Sequence, residues 1–344
     1  MSQTRTSTNS RPQPLARWLL IVAGLVIVTI VVGGITRLTE SGLSITQWKP
    51  LSGILPPLSE AAWANEFAHY RAIDQYAAIH SGMSMAQFKG IFIWEYLHRI
   101  LGRLVGMAIA LPLVWFWLCR AIPTGYHLRL LALLALVGLQ GALGWLMVRS
   151  GLQHGMIAVA PLWLAAHLLT ALFTLSGLIW TALDLIYLAK HPNARPARLT
   201  PFTALIGAIL ALQLAYGALM AGLRAGHVSD SWPLMNGRFY PGPTQLGRGM
   251  LDNLTADPAI VHFIHRWLAW ILVFGLIILA RRVKNIHQRP ISIAIHCLFG
   301  VQILLGIATI ISGVAIWLAV LHQLIGALLV ATCAWACHSL GRRN

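Results

Sequence analysis

Four histidines recur at matched places in the 344-residue chain: His98 in "HRILG", His167 in "LAAHLLTALF", His265 in "HRWLA" and His322 in "AVLHQLIGAL". A lone histidine on an apolar helix commonly does no more than hydrogen-bond to a neighbouring helix. Here each sits six or seven residues into an expected helix, and all four helices start on the same side. At 1.5 Å per residue the four imidazoles lie at one depth, roughly 9–10 Å below that surface. Two histidines per half, from parallel helices, are what bis-histidine ligation of a haem iron in a helix bundle requires. Zinc fits less well, because neither pair has a thiolate or carboxylate partner to complete a structural site. The pattern therefore points to two haem-sized sites side by side.

The residues around the first histidine of each pair sharpen this picture. Arg99 and Arg266 follow directly, and a guanidinium matches a haem propionate in fork geometry; an arginine snorkelling to the interface is the plainer role, and Arg103 suits it equally well. One turn before His98 stands Glu95, and one turn before His265 stands His262, on the same helical face as the ligand. A carboxylate beside a haem edge can take up or deliver protons or stabilise developing positive charge. A salt bridge to Arg99 or Arg103 is its structural alternative. A carboxylate in only one half suggests that the first half performs chemistry and the second holds a permanent cofactor.

Ionisable groups inside a membrane helix cost about 2.5–3.5 kcal/mol each at mid-membrane, and the chain around these sites is membranous. It is 58% hydrophobic and 10% charged, where a soluble domain carries about a quarter charged residues. Apolar runs long enough to cross a bilayer are expected at 18–36, 92–118, 128–148, 161–187, 202–223, 259–280, 291–311 and 315–338. The formal net charge of +16 is not a nucleic-acid footprint. More than half of the lysines and arginines fall on one side, in the tail (Arg5, Arg11, Arg17), the 119–129 link, the 188–201 linker, "RRVKNIHQR" at 281–289 and the C-terminal Arg342 and Arg343. Asp184 is the one acidic residue there. The positive-inside rule then makes both termini cytoplasmic and puts the histidines toward the outer side of the membrane.

The chain is also written twice. "VGGITRLTESGLSITQW" aligns with "YGALMAGLRAGHVSDSW", placing Gly33 on Gly217 and Trp48 on Trp232. "GLQGALGWLMVRSGL" at 138–152 aligns with "GVQILLGIATIISGV" at 300–314, and the histidine segments pair likewise. Four spans followed by four in the same orientation make a parallel repeat, with its pseudo-two-fold axis along the membrane normal. The expected fold is thus an all-α integral membrane protein of eight transmembrane helices in two four-helix bundles. A cytoplasmic tail (1–17) precedes the first bundle (18–187, with outer loop 37–91). A linker (188–201) leads to the second bundle (202–338, with outer loop 224–258), and 339–344 form a second tail.

The first span has no small-residue cleavage site and reads as retained. The four cysteines, Cys119, Cys297, Cys333 and Cys337, lie near the cytoplasmic ends of helices, which leaves the outer loops without thiol chemistry. Within loop 37–91, Ser59 is a candidate N-cap, with Trp63, Phe67 and Tyr70 at helical intervals after it. Ser84 and Gln87 form a capping-box pattern. Short amphipathic lid helices over the sites are expected; His69, His80, His154 and His227 read as loop-surface residues.

"GGITRLTESGLSITQWKPLSGILPP", "FKGIFIWEYLHRILGRLVG", "GALGWLMVRSGL", "AAHLLTALF", "VHFIHRWLAW" and "LHQLIGALLVA" together resemble the heme A synthase family over nearly the whole chain from about residue 30. The resemblance implies oxidation of a porphyrin methyl of heme O to a formyl group by two successive hydroxylations and loss of water. It implies His265 and His322 as axial ligands of a resident heme B cofactor, His98 and His167 as ligands of the substrate haem, and Glu95 as the essential carboxylate. It further implies heme O synthase and an electron donor as partners, a lipid environment and a homo-oligomer. The chain lacks the loop cysteine pair of some members and is similar to the cysteine-free class. A diheme b-type electron-transfer cytochrome is the alternative function, although all four ligands lie at one depth and none on the other side. A haem carrier is a more distant one, since nothing in the sequence marks a gate.

Overall fold

The computed structural model describes residues 10–49, 52–244 and 249–342 and, among these, is helical with no strand. Arg5 and Arg343, both counted toward the charge bias, lie outside the described residues. Eight helices are long and apolar enough to cross a membrane: α1 (Pro12–Leu38), α4 (Met85–Leu118), α5 (His127–Gly151), α6 (Pro161–Lys190), α7 (Pro201–Gly222), α9 (Pro258–Asn285), α10 (Arg289–Ile311) and α11 (Ile316–Gly341). Three short helices lie in the loops: α2 (Glu60–Arg71), α3 (Asp74–Ile79) and α8 (Met250–Ala256).

The helix starts follow local rules. Pro12, Pro161, Pro201 and Pro258 stand in first turns, where the missing N–H would have had no helical partner. Asp257 caps α9 by accepting from the Ala259 and Ile260 amides. Ser84 and Gln87 close the expected capping box on α4, and Ser59 caps α2 through the Ala62 amide.

The largest departure in span boundaries is α4, which starts seven residues before the expected position. Its 34 residues make a rod of about 51 Å, longer than the roughly 30 Å hydrocarbon layer. The added turns carry Phe88, which with Phe92 is buried against Tyr70 and Ile45, and Trp63, Phe67 and Tyr76 pack around the two rings. Trp63 meets Phe92 edge-on at 4.9 Å between ring centres, and Phe67 stacks on Phe88 at 4.8 Å. Such pairs contribute about 0.5–1.5 kcal/mol each beyond burial. Helix α2 therefore gives the first turns of α4 something to pack on.

In the first half α1 packs on α4 and α6, and α5 on α6; in the second α7 packs on α9, and α10 on both α9 and α11. The halves meet through α6 with α11, α1 with α11 and α6 with α7. The last two pairs exchange under the repeat, so the packing fits two bundles facing each other. One apolar core runs through both, including Leu15, Leu175, Leu276, Ile295 and Cys333. On the loop face Glu40 and Arg224, repeat-related residues both in the left-handed backbone region (φ 53° and 51°), form an ion pair of 3.0 Å. Arg37 joins it, binding Glu40 at 2.7 Å and donating to the carbonyls of Ala221 and Gly222. On the opposite, basic face Asp184 is fully buried and gathers Arg129, His338 and Arg342 at 2.5–3.1 Å together with the Ala197 amide. Its one carboxylate thereby ties the linker and the end of α11 to α5 and α6.

Candidate functional site

His98 and His265 lie on α4 and α9, and His167 and His322 on α6 and α11, the repeat-related helices. All four are half-buried. The rings of His98 and His167 face each other with centres 6.4 Å apart and planes at 88°. Two metal–nitrogen bonds of about 2.0–2.1 Å plus the radii of two imidazoles add up to nearly that length. The spacing of the two ring centres therefore suits one iron between them.

What holds each imidazole in place is a glycine on a neighbouring helix. A Cβ on Gly33 of α1 would come within 2.9 Å of His98 Nε2, and one on Gly144 of α5 within 2.9 Å of His167 Cε1. In the second half the same relation joins Gly217 of α7 to His265 at 3.1 Å and Gly306 of α10 to His322 at 3.0 Å. Four glycines, two repeat-related pairs, make room for four histidines. Glutamines add a second contact. Gln140 donates to the His167 carbonyl at 2.9 Å and Gln213 to the His265 carbonyl at 3.1 Å, while the Gln302 amide lies 3.2 Å from His322 Nε2.

Polar atoms remain over: Nδ1 of His167 and His322, and Oε1 of Gln140, Gln213 and Gln302, are buried without a partner. A buried orphan costs about 1–3 kcal/mol, so several at the two histidine pairs mark places built for a further group. Among the described residues no three His, Cys, Asp or Glu side chains converge on a common point. The donor set at each site is a pair of imidazoles, which suits the two axial positions of a porphyrin iron.

Glu95 is 3% exposed and every lone-pair direction is engaged. Its Oε2 accepts from Ser44 Oγ and the Ile45 amide, both at 2.7 Å, and its Oε1 from Arg99 Nη2 at 2.6 Å and Nε at 3.1 Å. Arg99 also donates Nη1 to the Gln47 carbonyl and Nη2 to the Ile45 carbonyl. The salt-bridge alternative considered for Glu95 is thus present, with Arg99 and not Arg103 as partner; Arg103 donates to the Lys49 carbonyl. In the second half Arg266 donates Nη1 to the Ser231 carbonyl and Nη2 to the Ser229 carbonyl, and its Nε to His262 Nε2 at 2.8 Å. Ser231 and Ser229 are the repeat-related positions of Gln47 and Ile45. The two arginines therefore clamp equivalent loop segments in equivalent ways.

Phe92, Tyr96, Arg99 and Arg103 line a cavity of about 140 Å³ under the first loop, with Lys49, Glu66 and Pro57 opposite. Arg99 is one residue, about 100° of helix rotation, from His98, so α4 serves this cavity and the histidine pair with different faces. Its volume falls below the roughly 300–1,000 Å³ of small-molecule sites and does not admit a macrocycle. Of the loop histidines, His154 and His227 are exposed. His69 contacts Gln47, and His80 is half-buried with its Nδ1 2.5 Å from the Tyr70 hydroxyl.

The glycines and glutamines were not among the candidate site residues, though Gly144, Gly306, Gln140 and Gln302 stand in register in the repeat and Gly33 aligns with Gly217. That shared register was the available signal. The loop carbonyls left no sequence signal, because every residue carries one.

Residues 16–334 match the family described as cytochrome oxidase assembly protein, COX15-CtaA. The chain is 55% identical over 329 residues to a protein of Erythrobacter litoralis named heme A synthase, covering 95% of this chain and 97% of that one. It is 54% identical to the heme A synthase of Sphingopyxis alaskensis, over all of this chain and 97% of the relative. With that of Novosphingobium aromaticivorans it shares 51%, over 98% of each. The two histidine pairs, their glycine seats and the single carboxylate thus stand in a chain that belongs to the COX15-CtaA cytochrome oxidase assembly family, alongside relatives named heme A synthase.

Proposed function

We propose that the chain is a membrane oxidoreductase that converts heme O to heme A, oxidising one porphyrin methyl to a formyl group by two hydroxylations and loss of water. The observation that carries this reading is the asymmetry between otherwise matched sites: the His98–His167 pair has a buried carboxylate, Glu95, one turn away, and the second pair has His262 there. His98 and His167 hold the substrate haem. His265 and His322 hold heme B, which supplies one-electron transfer when bound.

The chain's own residues do the rest. Gly33, Gly144, Gly217 and Gly306 let the imidazoles approach and fix their orientation. Arg99 and Arg266 hold the loops over the two sites, and the guanidinium hydrogens left over by the carbonyls are available to propionates. Arg99 pairs with Glu95 through Oε1, and Oε2 is the atom at which a proton is taken up once the Ser44 hydroxyl turns away from it. The lid formed by α2 and α3 restricts water at the first site. By the positive-inside rule the termini are cytoplasmic and the sites lie toward the periplasm of the bacterial inner membrane. There the protein takes heme O from a heme O synthase and electrons from a separate donor, as a homo-oligomer.

The test is to purify the protein in detergent, extract its haems with acid-acetone and identify them by chromatography with mass detection. Heme B together with heme O, a hydroxylated intermediate or heme A is expected. Two heme B per chain and nothing else would favour a diheme electron-transfer cytochrome, the reading that the Glu95–Arg99 salt bridge at 2.6 Å supports on its own.

A further inference from the structure

Arg99 and Arg266 are one device used twice. Each gives Nη1 and Nη2 to loop carbonyls two residues apart, and the carbonyls correspond in the repeat. What differs is the partner of Nε, which for Arg99 takes Nη2 as well. For Arg99 it is the Glu95 carboxylate; for Arg266 it is Nε2 of His262, which is fully buried. An imidazole that accepts at Nε2 carries its hydrogen on Nδ1 and is neutral. The guanidinium of the first half is therefore cancelled by an adjoining anion. That of the second half is 6% exposed and surrounded by carbonyl dipoles, an imidazole and the Trp232 ring at 5.5 Å. None of the three carboxylates of its loop pairs with it: Asp257 is bound to Thr244 and to the Ala259 and Ile260 amides, and Asp230 and Asp252 are exposed.

We infer that His262 stands where a carboxylate would otherwise be so that the buried charge of Arg266 remains uncompensated beside His265, and that this charge raises the reduction potential of the haem held there. This rests on the reading that His265 and His322 hold a resident haem. Ferric iron gaining an electron lowers the net charge of the haem by one. A nearby cation in a low-dielectric site favours that reduced form. His262 is accordingly a positioning residue, acting through Arg266 and touching no reacting atom. Ligand sets of two histidines each make the pairs alike; the clamp makes them electrically different, the second site poised to receive electrons.

The experiment is a redox titration, followed by haem absorbance, of the full-length protein purified with its haem. His262→Glu rebuilds the first-half pair in the second half. At the wild-type midpoint its ratio of reduced to oxidised haem should fall about tenfold, which is about 59 mV for a one-electron couple. His262→Gln offers Arg266 a neutral acceptor and should stay within about twofold of wild type. Arg266→Gln removes the cation and should move the potential in the same direction as His262→Glu; it decides the matter if the glutamate variant loses its haem. An unmoved potential in His262→Glu, or in Arg266→Gln where that variant decides, overturns the inference. So does a shift in His262→Gln as large as in His262→Glu, which would mean shape and not charge. A wild-type protein without any haem that His265→Ala removes would instead sink the reading beneath it.

Discussion

The two halves share helices, histidines, glycine seats and arginine clamps, and differ in what closes each clamp. In the first half Ser44, Ile45, Glu95 and Arg99 form a neutral, saturated network in which the carboxylate has no unused lone pair. In the second half the clamp ends on the buried imidazole of His262, with no carboxylate to close it. A duplicated scaffold thus keeps its ligand geometry constant and varies charge one turn away. On the proposed function, the comparison teaches that the histidines define where a haem goes, and their neighbours define what each site does.

The comparison breaks most directly at the ligands. His265→Ala should lose nearly all resident heme B, whereas His98→Ala should retain it and lose substrate haem; haem extraction from both variants measures this, and identical profiles would abolish the division of labour. Next in size, Glu95→Gln keeps an acceptor for Ser44 but loses the charge opposite Arg99. Heme A formation should fall about a hundredfold, within the range for a group that handles protons, with bound heme B unchanged. Normal heme A would return Glu95 to a structural role.

The glycine seats allow a finer cut. Gly306→Ala places a methyl 3.0 Å from His322 and Gly144→Ala one 2.9 Å from His167. Each should cost about 1–3 kcal/mol and lower haem occupancy in its own half only. Gly300→Ala and Gly138→Ala, with nothing within 4 Å, are the matched controls and should leave occupancy intact.

The smallest effect concerns the lid, which has no counterpart of equal size in the second half. Burial holds the His80 pKa below its ordinary 6.5, with Glu40 opposing weakly. The unfolded lid therefore binds more protons than the folded one as pH falls below 6.5, and lid stability drops in that direction. Amide protection in residues 60–80, taken relative to the intrinsic exchange rate at each pH, should fall modestly from pH 7 to pH 5.5, and His80→Gln should flatten the dependence. An unchanged pH response in that variant would assign the effect to another group.

Much of this was legible in the sequence because it depends on composition and period. The eight spans, and the place of His98, His167, His265 and His322 on α4, α6, α9 and α11, follow from apolar runs and spacing. The caps at Ser59 and Ser84 follow from side-chain chemistry over three residues. That the helix capped at Ser84 runs unbroken into the span expected from residue 92 was not legible, because its first turns pack on Trp63 and Phe67, about 20 residues away. Neither was the engagement of Arg99, whose acceptors are backbone carbonyls some fifty positions earlier. Gly144 and Gly306 were visible as shared letters, but the imidazoles they admit lie on another helix, and only folding joins them.

The pair of Glu40 and Arg224 has a consequence for assembly. Residues at equivalent positions of two related halves meet each other where the halves face across an axis, as a residue on a dimer axis meets its own copy. Were both glutamate or both arginine, the contact would set like charges 3.0 Å apart. Two first halves, or two second halves, brought together in this geometry face that repulsion, while one of each is attracted. The ion pair therefore acts as a discriminator against self-association of either half: separately expressed halves should recombine as one of each.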